Sequence, residues 1–222
     1  MAFRTKAAVV LIVAQSLAAA PVVHRHLKQL GSGTIEVTDD GISFTETGKH
    51  ADHSRVWKYG QIQQLELSEA TLRVLTYEDR KGQFGRDREY VFEQLPKDFA
   101  RSVYPMWRDK LDQRFIAALA DADVTTLVEF PAKLNGLTKG VEGMLLFGED
   151  RIVFRSAKAG SSRTWRFTDI DNVASAGPFD FSVVTLEHHG AWNTGAREFR
   201  FQLQRPMEEA RFNELWRRLM RR

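Results

Sequence analysis

The chain has no cysteine among its 222 residues, so disulfide frameworks, thiolate nucleophiles and cysteine metal ligands are all excluded. It has no marked excess of one charge. Its 32 Lys and Arg face 29 Asp and Glu, which is far from the coherent basic stripe that nucleic acid requires. Six prolines and 15 glycines are too few for a collagenous or Pro/Gly-rich disordered chain. The GxxxxGK phosphate cradle and the GxSxG nucleophile step are both missing. What remains is an ordinary globular composition, 43% apolar and 27% charged. The length admits one large domain or two of roughly 100 residues, either able to bury a core.

The N-terminus reads as an address rather than as fold. Arg4 and Lys6 precede an uncharged, mostly apolar run from Ala7 to Ala20, with small residues at Ser16, Ala18 and Ala20, the pattern of a secretory signal with cleavage after Ala18. The competing reading is a retained anchor. Extended to Val23 the run is interrupted by Gln15, Ser16 and Pro21 and falls short of the roughly 20 residues that span a bilayer. The expectation is export, to the periplasm or outside the cell, with membrane anchoring if the signal is retained.

An internal repeat organises the rest. Asp40, Ile42 and Phe44 recur as Asp150, Ile152 and Phe154. Ser54, Arg55, Trp57, Tyr59 and Ile62 recur as Ser162, Arg163, Trp165, Phe167 and Ile170. Thr76, Glu78, Glu89, Tyr90 and Phe92 recur as Thr185, Glu187, Glu198, Phe199 and Phe201, and Trp107-Arg108 recurs as Trp216-Arg217. The displacement drifts between 108 and 110 in polar stretches, where loops tolerate insertion. Each copy alternates apolar and polar residues over short strands broken at Gly41, Gly82 and Gly85 or their counterparts, then changes to helical spacing. Phe99, Val103, Met106 or Trp107, and Leu111 form one stripe, with Pro105 expected to kink it. Phe212, Leu215, Trp216 and Leu219 form the other, with Pro206 as a first-turn residue. A tryptophan is expected to close each copy.

Strands ending in a helix with a central tryptophan, together with the steps Trp57-x-Tyr59-x-x-Ile62 and Trp165-x-Phe167-x-Asp169-Ile170, resemble the pleckstrin-homology-like superfold and its bacterial GRAM-like relatives. The resemblance implies a mainly β chain of two such barrels, each of about seven antiparallel strands capped by a C-terminal helix. The expected layout is a signal over 1–18, an N-terminal extension over 19–32, a first domain over 33–111, a structured connection over 112–139 and a second domain over 140–222. In the connection, Phe115, Ile116 and Leu119 extend the first helix and 125–130 forms a strand before Pro131. The family implies binding or scaffolding without catalytic chemistry, its ligands ranging over phosphoinositides, peptides and proteins. Lipid-binding members carry Lys and Arg around the first hairpin. Here Thr38-Asp39-Asp40-Gly41 and Gly148-Glu149-Asp150-Arg151 put acids at the turns taken for that hairpin, and they would repel phosphate.

Candidate site residues are few. Arg55 and Arg163 precede the strand tryptophans and either present guanidinium groups or cover aromatic rings with their stems. Phe84 and Trp192 each sit between glycines in a late hairpin, suited to a partner's pocket or a membrane interface unless the ring folds back. His24, His26, His50, His53, His188 and His189 read as solvated loop residues, with no converging set for a metal. No pair among the acids is singled out for acid/base work. The expected function is therefore non-enzymatic recognition of a protein or peptide partner at the cell envelope, along a sheet edge or interdomain groove, without cofactor, metal or nucleic acid. Peripheral membrane binding through Phe84 and Trp192 is the alternative, and a hydrolytic enzyme a more distant one.

Overall fold

The structure, a computed structural model, describes residues 16–25, 30–47, 53–80, 85–136, 139–188 and 196–221. Alternating apolar residues set the strands, and the protein is mainly β, as the alternation requires. In chain order the first half holds β1 (Ser16–Arg25), β2 (Leu30–Thr38), β3 (Gly41–Glu46), β4 (Arg55–Lys58), β5 (Ile62–Ser68), β6 (Thr71–Asp79), β7 (Asp87–Glu93) and α1 (Lys97–Lys110). After β8 (Arg114–Ala118) come β9 (Val128–Leu134), β10 (Val141–Phe147), β11 (Arg151–Arg155), β12 (Arg163–Arg166), β13 (Ile170–Gly177), β14 (Asp180–Thr185), β15 (Arg197–Leu203) and α2 (Glu209–Met220).

The strands do not separate into two barrels. They join edge to edge in one 15-stranded sheet, in the order β13-β14-β15-β9-β10-β11-β12-β8-β5-β6-β7-β1-β2-β3-β4. Read in one direction along the sheet, the halves on the two sides of β8 run in the same order. The last three strands of a half lie beside its first four, and a one-turn 3-10 helix, Tyr59–Gln61 or Phe167–Asp169, joins the fourth strand to the fifth. A register shift falls at the same place in each, between Ile62 and Gln64 and between Ile170 and Asn172. Each half has its own apolar core. One is built around Phe44, Trp57, Phe92 and Trp107, the other around Phe147, Phe154, Trp165 and Phe201.

Several local expectations change. The sheet starts earlier than residue 33: β1 pairs with β2 and β7 and buries Ala20, Val22 and His24. His24 is thus a core residue, its ring 5.1 Å from Phe44 and 5.2 Å from Phe92, and not a solvated loop histidine. Residues 115–119 do not extend α1. Leu111 turns to extended backbone at the helix end, and β8 pairs in parallel with β5, which places Phe115 and Ala117 in the first core. The strand expected at 125–130 runs from Val128 through Pro131 to Leu134. Proline is tolerated there because its carbonyl accepts from Gln204, past the last β15 pair at Leu203, so its missing N–H faces the end of that strand. Pro206 precedes α2, whose N-cap is Glu208.

The helices differ at their tryptophans. Trp107 is fully buried, whereas Trp216 is 43% exposed, so tryptophan does not close the second half. Leu215 and Leu219 do that work. With α2 aligned to α1 at a displacement of 108 residues, Leu215 matches Trp107, Leu219 matches Leu111, Met207 matches Phe99 and Phe212 matches Tyr104. Trp216 then falls at the position of Arg108, on the flank of the helix.

Candidate binding surface at the second edge strand

The repeated arginines are brought to corresponding places, but as packing elements. Arg163 is buried on β12. It pairs with Glu187, and its guanidinium carbon lies 4.5 Å from the centroid of Phe199 and 5.8 Å from that of Trp165. Burial pulls this guanidinium below its ordinary pKa, with Glu187 opposing the shift and Arg197 adding to it. Arg197 reaches Glu187 at 3.2 Å and covers the other side of the cluster, 4.6 Å from Phe199. In the first half, half-buried Arg55 donates to the Ser54 carbonyl at 2.8 Å and bonds Tyr90, whose hydroxyl donates to Glu78 at 2.9 Å. Neither arginine presents a free cationic face. Phe84 and Trp192 lie outside the described residues. The acidic turns at Thr38–Gly41 and Gly148–Arg151 join β2 to β3 and β10 to β11. They are the second hairpin of each half, so their acidity does not bear on the first.

The seam between the halves is polar and fully engaged. Asp121, 1% exposed, accepts from the Tyr104 hydroxyl at 2.9 Å and from the Asp123 N–H at 2.8 Å, and it pairs with Arg151 and, at 3.5 Å, with Arg108. Burial alone would raise the Asp121 pKa, but these donors and cations outweigh it and hold it below the ordinary value. Arg166 of β12 donates through Nη1 to the carbonyls of Trp107 at 3.1 Å and Leu111 at 2.7 Å, and through Nη2 to that of Gln113 at 3.0 Å. The C-terminal end of α1 is thereby capped by a cation from the second half. On the other side of the sheet the Gln64 amide donates to the His188 carbonyl at 3.0 Å and accepts from its N–H at 2.8 Å. These contacts tie the two halves together on both sides of β8.

The sheet order ends on β13 in the second half and on β4 in the first. β13 closes the sheet order with one neighbour, β14, and from Asp171 to Ala176 only Val173 is buried. The Val173 N–H, which faces away from the ladder, is held at 2.9 Å by the Asn172 side chain. Beside this edge α2 carries Phe212, Trp216 and Met220 at helical i, i+4 spacing, with Trp216 and Met220 exposed. Phe212 lies 6.5 Å from Phe181 of β14. The opposite flank of α2, at Arg211 and Arg218, borders a shallow groove with Leu127 and Phe147, so the Trp216 flank turns toward β13.

No family model matches the chain, and no curated protein matches it. Among solved structures it is similar to the C-terminal domain of an unknown protein from Leishmania infantum, at 12% identity and a TM-score of 0.33, over 42% of this chain and 82% of that one. It is also similar to the Spt16D Pob3N heterodimer, at 10% identity and a TM-score of 0.30, over 70% of this chain and 75% of that one. Likeness at these scores carries no argument. Among the described residues no three His, Asp or Glu side chains cluster to hold a metal, and no helix is long and apolar enough to cross a membrane.

The edge strand and the flank residues Trp216 and Met220 are absent from the sequence-derived set. A signal was available. At a displacement of 109 the two helix tryptophans coincide, but at 108, the displacement that already relates Trp57 to Trp165, Trp216 falls opposite charged Arg108. A large apolar residue matching a charged residue marks a position off the core face of the helix.

Proposed function

We propose that this protein acts by binding rather than by catalysis. In this reading a duplicated pair of pleckstrin-homology-like units, fused in a fixed pose, presents the α2 and β13 side of its second unit to a protein partner. The identical strand order of the two halves and their shared register shift support the duplication. One observation carries the assignment of the face: β5 in the first half is covered by the chain's own β8, while β13, its counterpart, is left open beside exposed Trp216. Apolar side chains next to an unpaired strand edge are costly to leave in water and are the usual anchors of recognition.

Export to the cell envelope, directed by residues 1–18, belongs to the same proposal. Cleavage after Ala18 would remove three residues of β1 and leave buried Ala20, Val22 and His24 in place. The test is site-specific photocrosslinking in native envelope extract, with the probe amino acid at position 216 and, as a control, at exposed Arg101 on α1. A partner captured from 216, absent from 101 and displaced by excess unmodified protein supports the reading. Identical capture from both positions, or none, counts against it.

A further inference from the structure

The first half shows what an occupant of this kind of edge looks like. β8 lies parallel to β5 with Gln64 opposite Arg114, Leu65 opposite Phe115 and Leu67 opposite Ala117. Its side chains fill the space between strand and helix: the Phe115 ring stands 5.9 Å from Trp107 and 6.0 Å from Tyr104. Leu119 packs against the same core, and the segment ends on Asp121, which meets Tyr104 and Arg108. Carried over at a displacement of 108, Val173 stands for Leu65 and Ser175 for Leu67. Leu215 stands for Trp107, a smaller side chain at the corresponding helix position. Phe212 and Trp216 stand for Tyr104 and Arg108, so the positions that receive a carboxylate in the first half are apolar in the second.

We infer that β13 takes an extended peptide segment of a partner protein, added as a strand parallel to β13, with a bulky aromatic residue opposite Val173 and apolar residues four and six positions later, set against Phe212 and Trp216. This rests on the reading of the α2 and β13 side as the binding face and adds the direction and side-chain pattern of the ligand. The Asn172 side chain occupies the Val173 N–H until a strand carbonyl replaces it, which blunts the edge against nonspecific pairing. An acid in the last position, as Asp121 is after β8, would be set over two aromatic side chains with no cation among the matched residues and would be penalised.

The chain itself supplies the probe. A fluorescent, end-blocked octapeptide with the sequence of residues 114–121, RFIAALAD, and its D121L version are titrated against the full-length protein by fluorescence anisotropy. The leucine peptide is expected to bind about tenfold more tightly, the ratio set by exchanging a buried carboxylate for an apolar side chain. Ser175→Pro, which takes an N–H from the edge strand two residues past Val173, and Trp216→Ala should each weaken it by about tenfold or more, with circular dichroism unchanged because both side chains are exposed. A spin label on the peptide N-terminus should broaden amide resonances near Ile170 rather than near Gly177. Equal affinity for the two peptides, binding indifferent to both substitutions, broadening at Gly177, or no binding at all overturns the inference. A partner that crosslinks at position 216 while these peptides fail would leave the binding face standing and remove only the parallel-strand ligand.

Discussion

Replacing Arg166 with methionine should uncouple the two halves while leaving each core intact. The guanidinium makes five hydrogen bonds: Nε and Nη2 to Asp169 at 2.6 and 3.0 Å, and three to the main-chain carbonyls at the end of α1. Arg166 and Asp169 are 12% and 11% exposed. Removing the cation leaves a carboxylate that keeps one partner, the Phe115 N–H at 3.1 Å. Breaking a buried pair costs about 3–5 kcal/mol, and methionine retains most of the stem packing, so a loss of about 3 kcal/mol is expected. For a chain of this size that lowers the thermal midpoint by roughly 6–12 °C. The loss should fall first on the seam, so urea titration followed by fluorescence and by hydrogen exchange at β8 should give non-coincident transitions. Adding Asp169→Asn to the variant keeps the acceptor for Phe115 and removes the stranded charge. The double variant should regain about 1–2 kcal/mol over Arg166→Met alone. An unchanged midpoint for Arg166→Met, or a double variant weaker than the single one, would refute the reasoning.

Two further outcomes follow from the same side chains. Asp121 has a folded pKa held below its unfolded value of about 3.9. Its contribution is therefore present above that value and is lost as pH falls through the folded value. Asp121→Asn should flatten the acid limb of a stability–pH curve below about pH 4, and an acid limb unchanged in slope would contradict this. Trp107→Ala should cost about 3–5 kcal/mol in chemical denaturation, since it opens a cavity and removes the 2.9 Å hydrogen bond to Tyr59. Trp216→Ala should stay within about 0.5 kcal/mol; comparable losses at both positions would mean that Trp216 is a core residue after all.

The mainly β character was legible because alternation survives wherever one face is buried: Ile42 and Phe44, or Ile152 and Phe154, mark their strands without help from elsewhere. β1 was hidden because an apolar run next to basic residues reads equally well as a signal, and only its pairing with β2 and β7 makes it a strand. β8 was hidden for a different reason. Phe115, Ile116 and Leu119 fit helical spacing, and the preference for a strand comes from β5, about fifty residues earlier in the chain, a contact no local pattern contains. Of the four candidate side chains, Arg163 lies over Phe199 and Trp165 and pairs with Glu187, while Arg55 bonds the Ser54 carbonyl and Tyr90; apart from Ser54 and Trp165, these partners are distant in sequence and no local pattern names them. The open edge itself could not be read locally, because whether a strand lies at a margin depends on what the rest of the chain leaves uncovered.

The parallel strand β8 also changes what counts as the end of the first unit. Its helix finishes at Lys110, yet the margin of β5 is completed only by residues 114–118, which simultaneously touch β12 at Thr164. During synthesis the first half therefore emerges with its sheet unfinished and stays so until Ala118 is free of the ribosome. A fragment cut after Leu111, the end of the first domain as read from the sequence, would leave β5 as a raw margin prone to self-association, whereas one ending past Asp121 would cover β5 and leave the short β8 as the margin instead.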